Sequence, residues 1–148
     1  MNRILCGVDG SEAADEALDL AVSLCRGTGA SLDVVVAWRH PRFLRGTPPP
    51  LALELESAER AEEVVTAAVQ RAAAAGVEAR PHVAVGDPAQ VICTTAEKLD
   101  GDLVVVGRRG RGAIVGALLG SVSHRVVREC TRPVTVVGHR GHGPAPRA

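Results

Sequence analysis

The chain has 148 residues, enough for one domain with an ordinary buried core. Lys+Arg and Asp+Glu are equal at 17, so the whole molecule carries no net charge that would attract nucleic acid or an anionic membrane. Hydrophobic residues make up 46% of the chain, with one Trp, one Phe and no Tyr. The core is therefore expected to consist of Val, Ala and Leu, which suits buried strands under Ala-rich helices.

The first part of the chain is predicted to form a strand, a tight turn, a helix and a second strand. The apolar run over residues 3–8 predicts a short strand that ends at the turn Asp9-Gly10-Ser11. That turn offers an N-cap to a helix over residues 12–29, where apolar residues recur at helical spacing. Residues 31–38, SLDVVVAW, predict the next strand.

The middle of the chain begins with a proline-rich segment. Residues 39–50 hold four prolines, so we expect a surface loop, followed by a long helix over residues 51–76. A third strand is predicted at residues 78–86, weakened by Pro81. Residues 87–99 predict a helix with Asp87 as its cap and Pro88 in its first turn.

The last part contains the clearest buried strand, residues 101–107, and a glycine-rich segment that leads into a helix over residues 121–129. One apolar face of this helix is expected to pack on the sheet, formed by Val122, Val126, Val127 and Cys130. Residues 132–138 predict the last strand. The domain is therefore expected to span residues 1–138, and the tail 139–148 is predicted to be disordered.

Strands that alternate with helices predict a single α/β domain with a mostly parallel sheet covered on both faces. Ligands bind such open sheets beyond the carboxyl ends of the strands. Three predicted strands end at unusual residues, namely Asp9, Ala37 with Trp38, and Gly107. If the first and fourth strands are neighbours, Asp9 and Gly107 face each other across one crevice.

The glycine-rich segment has the spacing Gly107-x2-Gly110-x9-Gly120-Ser121. It is not a Walker A loop, because the only lysine is Lys98, and it does not match the dinucleotide motif GxGxxG. Two interpretations are open, a mobile basic linker and a phosphate cradle. The cradle is favoured because the segment runs from the end of a buried strand to the start of a helix, where N–H groups and a hydroxyl are available to an anion.

The four cysteines, Cys6, Cys25, Cys93 and Cys130, lie far apart in apolar stretches and form no CxxC pair. They are predicted to be buried free thiols, with a metal or redox site as the alternative. Free thiols indicate a reducing compartment. The chain shows neither a signal peptide nor an apolar run of about 18 residues, so we expect a cytoplasmic protein with no membrane contact.

Several of these stretches together resemble the ATP-binding branch of the universal stress protein family. They are ILCGVDGSEAADEALDLA, GDLVVVGRRGRG, LLGSVSHRVVRECTRPVTVV and the G-2x-G-9x-G-[ST] spacing, and the resemblance covers about residues 2–138. It implies a Rossmann-like, doubly wound sheet of five parallel strands in the order 3-2-1-4-5. It also implies a homodimer through the last strand, Val134 to Gly138, and bound ATP with a divalent metal, Mg²⁺, on its phosphates.

The resemblance also implies roles for particular residues. Asp9 would lie near the ribose and adenine with Val8 beside it, the backbone of Ala37 would read the adenine edge, and Val106 and Gly107 would flank the ribose. The phosphate loop would comprise Gly110, Gly120, Ser121, Val122 and Ser123. The alternatives are that Asp9 caps the first helix and that Ser121 caps the last one.

The sequence departs from the family pattern after the first glycine. Arg108 and Arg109 stand where a small hydroxyl residue and a His or Arg are common, and Gly112 replaces a frequent Ser or Thr. The arginines either contact the γ-phosphate or point to solvent, and Arg109 is the one expected to make the phosphate contact ahead of Arg108 and Arg111.

No histidine or carboxylate in the loop supplies an obvious base, and His124 is expected on the surface. The prediction is therefore a nucleotide-dependent regulator in stress response, with little or no hydrolysis and an unidentified protein partner. A nucleotide-free dimeric interaction module and a slow ATPase are the alternatives. Nucleic-acid binding through Arg108, Arg109 and Arg111 is disfavoured because no stacking aromatic residue is nearby.

Overall fold

The computed structural model describes residues 1–40, 46–109 and 119–138. Strands and helices alternate along the chain as the sequence predicts. The strands are β1 Arg3–Gly7, β2 Ser31–Trp38, β3 Ala79–Val85, β4 Leu103–Gly107 and β5 Val134–Val137. The helices are α1 Glu12–Thr28, α2 Leu51–Ala74, α3 Pro88–Lys98 and α4 Ser121–Glu129. The predicted tail, residues 139–148, lies outside the described residues.

The five strands form one parallel sheet in the order β3-β2-β1-β4-β5. The side chains of β1 alternate between two apolar layers, since Ile4 and Cys6 pack with α1 and α2, whereas Leu5 packs with α3 and α4. The predicted doubly wound α/β fold with helices on both faces is therefore confirmed. The order places the ends of β1 and β4 side by side at the centre of the sheet.

Local signals account for the starts of α1 and α3. The Ser11 hydroxyl oxygen accepts from the backbone N–H of Ala14 and caps α1, and Asp87 caps α3 by accepting from Gln90, with Pro88 as the first helical residue. At the start of α4, the alternative that Ser121 is the cap is wrong. Its N-cap is Gly120 in an extended conformation, and Ser121 is the exposed first residue of the helix.

The face of α4 also differs from the prediction at one position. Val126 is fully buried against the sheet, but Val127 is 49% exposed. Val122 and Val126, one helical turn apart, pack in the apolar layer that contains valines of β4 and β5. Val127 follows Val126 and is therefore rotated by about 100° around the helix axis, towards solvent. The prediction that Val127 belongs to the packed face is therefore wrong.

The prediction of four free thiols is wrong for two of them. Cys93 in α3 and Cys130 at the C-cap of α4 form a disulfide, whereas Cys6 and Cys25 are buried and free. Helices α3 and α4 lie on the same face of the sheet, and this brings the two Cα atoms to 5.0 Å from each other. A separation of 37 residues hides this proximity in the sequence.

One buried charge interrupts the apolar sheet. Asp33 in β2 is fully buried, and its Oδ1 lies 2.7 Å from Nε2 of His82 in β3. Its Oδ2 lies 3.4 Å from Nε of Arg3. Among the described residues Oδ2 accepts no hydrogen bond, so Arg3 compensates the charge only through the ion pair. The carboxylate lies near the amino-terminal edge of the sheet, at the opposite end from the crevice described below.

Within the described ranges, no helix is long and apolar enough to cross a bilayer.

Candidate functional site

A crevice of about 240 Å³ lies beyond the carboxyl ends of the central strands. Strands β1, β2 and β4 contribute their ends, and helices α1, α3 and α4 contribute residues from their amino-terminal halves. Its lining residues are Gly7, Val8, Asp9, Ser11, Ala14, Val35, Ala37, Pro88, Ile92, Val106, Gly107, Arg109, Val122 and Ser123. This is the place where open parallel sheets bind ligands.

Asp9 enters the crevice from the turn between β1 and α1. Its Oδ1 accepts from the backbone N–H of Ser11 at 3.0 Å and from the Ser11 hydroxyl at 2.5 Å. The hydroxyl oxygen of Ser11 in turn accepts from the N–H of Ala14. Asp9 therefore orients the cap of α1 without being that cap, and the alternative that Asp9 itself caps the helix is wrong.

Ala37 offers backbone hydrogen-bonding groups to the crevice. The carbonyl of Val35 accepts from the N–H of Val8, so the backbone groups of Val35 point towards β1. Backbone groups alternate in direction along a strand, and those of Ala37 therefore point the same way. Since β1 ends at Gly7, opposite Val35, the N–H and C=O of Ala37 face the crevice beyond the end of that strand.

Gly107 is required by packing. A Cβ at this position would lie 2.7 Å from both the carbonyl carbon and the carbonyl oxygen of Ala13. The first turn of α1 therefore sits directly against the end of β4, where only glycine fits. The sequence predicts that Gly107 lets the backbone approach a ligand, and the contact with Ala13 is a structural reason for glycine in addition.

The amino end of α4 is held against the loop that follows β4. The Gly120 N–H donates to the carbonyl of Arg108 at 2.8 Å, and the Ser123 hydroxyl donates to the same carbonyl at 2.7 Å. The N–H of Gly120, a residue of the predicted phosphate loop, is therefore already engaged by a backbone carbonyl. The Ser123 hydroxyl also lies 3.1 Å from the carbonyl of Gly120, so its proton is already engaged by backbone carbonyls.

The N–H groups of Ser121, Val122 and Ser123 form the first turn of α4 and have no acceptor within the helix. Together with the helix dipole they make the amino end of α4 attractive to an anion. Val122 and Ser123 line the crevice, so this end of the helix opens into it.

At the rim of the crevice, ion pairs join the end of β2, the start of α3 and helix α4. The charged side chains lie close in sequence to the crevice residues Ala37, Pro88 and Val122. Asp87 lies 2.5 Å from Nη2 of Arg39 after β2 and 2.6 Å from Nη1 of Arg125 in α4. Burial raises the pKa of Asp87, but the N–H of Gln90 and the two guanidinium groups outweigh it and lower the pKa overall. Arg125 also binds Glu129, so the network continues along α4.

The structure brings most of the predicted site residues together. Val8, Asp9, Ala37, Val106, Gly107, Arg109, Val122 and Ser123 all line the one crevice. Gly120 and Ser121 adjoin it at the start of α4 but are not among its lining residues, and Gly110 lies outside the described residues.

Sequence reasoning missed the part of the wall that α3 forms. Ile92 packs so closely over the end of β1 that a Cβ on Gly7 would lie 2.6 Å from its Cδ1. Ser11 was considered only as a cap, although it also lines the crevice. Ile92 lies four residues after Pro88 and therefore shares a face of α3 with it. This spacing could have identified Ile92 as a crevice residue once α3 was placed over β1.

A model of the universal stress protein family matches residues 1–138. Universal stress protein YxiE of Bacillus subtilis is 32% identical over 92% of this chain and 98% of its own length. A universal stress protein of Thermus aquaticus is 36% identical over 90% of this chain and 96% of its own. Among solved structures, a universal stress protein in complex with cAMP is 29% identical with a TM-score of 0.70, over 92% of this chain and 96% of that one.

Proposed function

This chain belongs to the universal stress protein family, and on that basis we propose that it is an ATP-binding regulator with little or no hydrolytic activity. The observation that carries the proposal is the convergence of Asp9, the Ala37 backbone and the amino end of α4 on one crevice. The relative solved with cAMP supports an adenine nucleotide as the ligand class.

The nucleoside would occupy the part of the crevice between β1, β2 and β4. The N–H and C=O of Ala37 are suited to the adenine edge, because an adenine presents a donor and an acceptor side by side. The carboxylate of Asp9 is suited to the ribose hydroxyls. Val8 and Val106, which are 8% and 4% exposed, supply apolar surface beside them.

The phosphates would lie at the amino end of α4. The first-turn N–H groups and the helix dipole attract negative charge there, and Arg109, which lines the same crevice, adds a positive one. Among the described residues no three metal-ligating side chains cluster. Mg²⁺ would therefore be held mainly by the phosphate oxygens and water, where it would neutralise phosphate charge.

The lining of the crevice favours binding over catalysis. Asp9 is its only carboxylate among the described residues, and Oδ1 of that carboxylate already accepts two hydrogen bonds from Ser11. No histidine lines the described crevice, and His124 is exposed. Without a positioned general base we expect slow turnover, so that bound ATP marks a state that a partner protein recognises.

The decisive experiment is a calorimetric titration of the full chain with ATP. Gly120→Asp should abolish binding, because it places a negative charge at the N-cap of α4. The fold should survive, since Asp is a favoured N-cap and Gly120 has an ordinary extended conformation. Gly27→Asp is the matched control, because a Cβ at Gly27 meets nothing within 4 Å, and it should bind like the wild type.

Two results would contradict the proposal. Wild-type protein that binds neither ATP nor AMP would support the nucleotide-free interaction module. Rapid ATP turnover that depends on Asp9 or Ser121 would support an ATPase.

A further inference from the structure

Helices α3 and α4 form one wall of the crevice and are joined by the disulfide Cys93–Cys130. Cys93 follows Ile92, which lines the crevice, and Cys130 ends the helix whose first turn contains Val122 and Ser123. The disulfide closes a loop that contains β4, the glycine-rich segment and all of α4. It therefore constrains the position of α4, whose amino end is the proposed phosphate site.

The remaining polar contacts between these helices are non-covalent. Arg125 binds Asp87 at the crevice end, and the Thr131 hydroxyl donates to Glu97 at the other end, at 2.8 Å. The disulfide lies between these two contacts and links α3 to α4 covalently. When it opens, the position of α4 against α3 depends on these contacts and on apolar packing around Val126.

The two cysteine pairs differ in accessibility. Cys93 and Cys130 are half-buried at the edge of the apolar layer, whereas Cys6 and Cys25 are 0% and 4% exposed. Burial also raises the pKa of the Cys6 and Cys25 thiols, so neither forms a thiolate readily. Cys93 and Cys130 are therefore more accessible to small thiols and disulfides than Cys6 and Cys25 are.

We propose that Cys93 and Cys130 are a reversible redox site that controls nucleotide affinity, an inference that rests on the proposed function. The oxidant is a low-molecular-weight disulfide. The thiolate of one cysteine attacks it and releases one small thiol, and the second cysteine then displaces the other, closing the protein disulfide. The protein loses two hydrogen atoms, and the oxidant leaves as two thiols; excess small thiol reverses both steps.

The oxidised form binds nucleotide more tightly, because its α3–α4 wall is fixed before the ligand arrives and less conformational freedom is lost on binding. We expect reduction to weaken ATP affinity by about tenfold, within the usual range for coupled sites. Coupling is reciprocal, so saturating ATP should favour the disulfide by the same factor in a glutathione redox buffer.

The test is calorimetric titration of the full chain with ATP before and after reduction by a phosphine. Wild-type protein should lose affinity on reduction, and so should Cys25→Ala, which keeps the disulfide. The double variant Cys93→Ala/Cys130→Ala should bind like reduced wild type with or without reductant. Equal affinity of oxidised and reduced wild type would overturn the redox control and leave the proposed function standing, whereas absence of binding in both forms would overturn both.

Thiol counting tests the site without any nucleotide. After incubation with oxidised glutathione and removal of the excess, denatured protein should take up iodoacetamide at two cysteines, and at all four after reduction. Four alkylated cysteines before reduction would overturn the redox site.

Discussion

At the scale of single residues, the crevice depends on polar groups that serve structure and site together. Asp9 orients Ser11 through two hydrogen bonds, and Ser11 caps α1. Ser123 uses its hydroxyl to tie α4 to the loop after β4. The family resemblance identifies Asp9 and Ser123 from the sequence, but the directions of their hydrogen bonds depend on the packed structure.

Asp87 provides a pH-dependent test of the rim. Its folded pKa is lowered, so its contribution to stability is present above the unfolded value of about 3.9 and is lost as the pH falls through the folded pKa. Asp87→Asn keeps a side-chain oxygen for the cap of α3 but loses the charge that binds Arg39 and Arg125.

We expect Asp87→Asn to lower the free energy of unfolding by about 1 kcal/mol or less at neutral pH, because Arg39 is 51% exposed and solvent screens part of the interaction. The difference from wild type should disappear in urea titrations performed below the folded pKa. A difference that stays constant with pH would show that the ion pairs contribute nothing.

At the scale of elements, the alternation of strands and helices could be read from hydrophobic periodicity and caps, and β2 begins and ends at the predicted residues 31 and 38. The strand order could not be derived from the residues, because pairing between distant strands leaves no local pattern; only the family resemblance supplied it. The disulfide was missed for the same reason, since the proximity of α3 and α4 arises only when both cover one face of the sheet.

The contact of α1 with β4 gives a packing test at this scale. Gly107→Ala adds a methyl group at 2.7 Å from the backbone of Ala13, so the start of α1 must move. We expect the free energy of unfolding in urea to fall by about 1–3 kcal/mol. Gly138→Ala is the control, because a Cβ there meets nothing within 4 Å and should change stability only slightly. Equal effects of the two substitutions would contradict the close packing.

At the scale of the whole molecule, β5 is an edge strand with one side paired to β4. The carbonyl of Pro133 accepts from Val104 in β4, and that of Val137 accepts from Arg108 directly after β4. The backbone groups of Val134 and Val136 therefore point to the open edge. An exposed apolar edge is a pairing surface. The homodimer through Val134 to Gly138 remains a prediction, with this edge as its physical reason.

Val136→Pro tests that dimer directly. It removes an outward N–H while leaving the carbonyls that accept from β4, so the variant should sediment as a monomer in analytical ultracentrifugation. Val136→Ala loses side-chain volume but keeps the N–H and should stay dimeric. A wild-type monomer, or a dimer that survives the proline, would contradict pairing through this edge.

The proposed function requires that an adenine nucleotide occupy the crevice at the carboxyl ends of the strands. Amide chemical-shift mapping during titration with ATP tests it most directly. The largest shifts should occur at Ala37, Gly107, Val122 and Ser123, with little change at Asn2 and Asp102, which are hydrogen-bonded to each other at the opposite edge of the sheet. Shifts concentrated at that opposite edge, or no shifts at saturating ATP, would contradict the account.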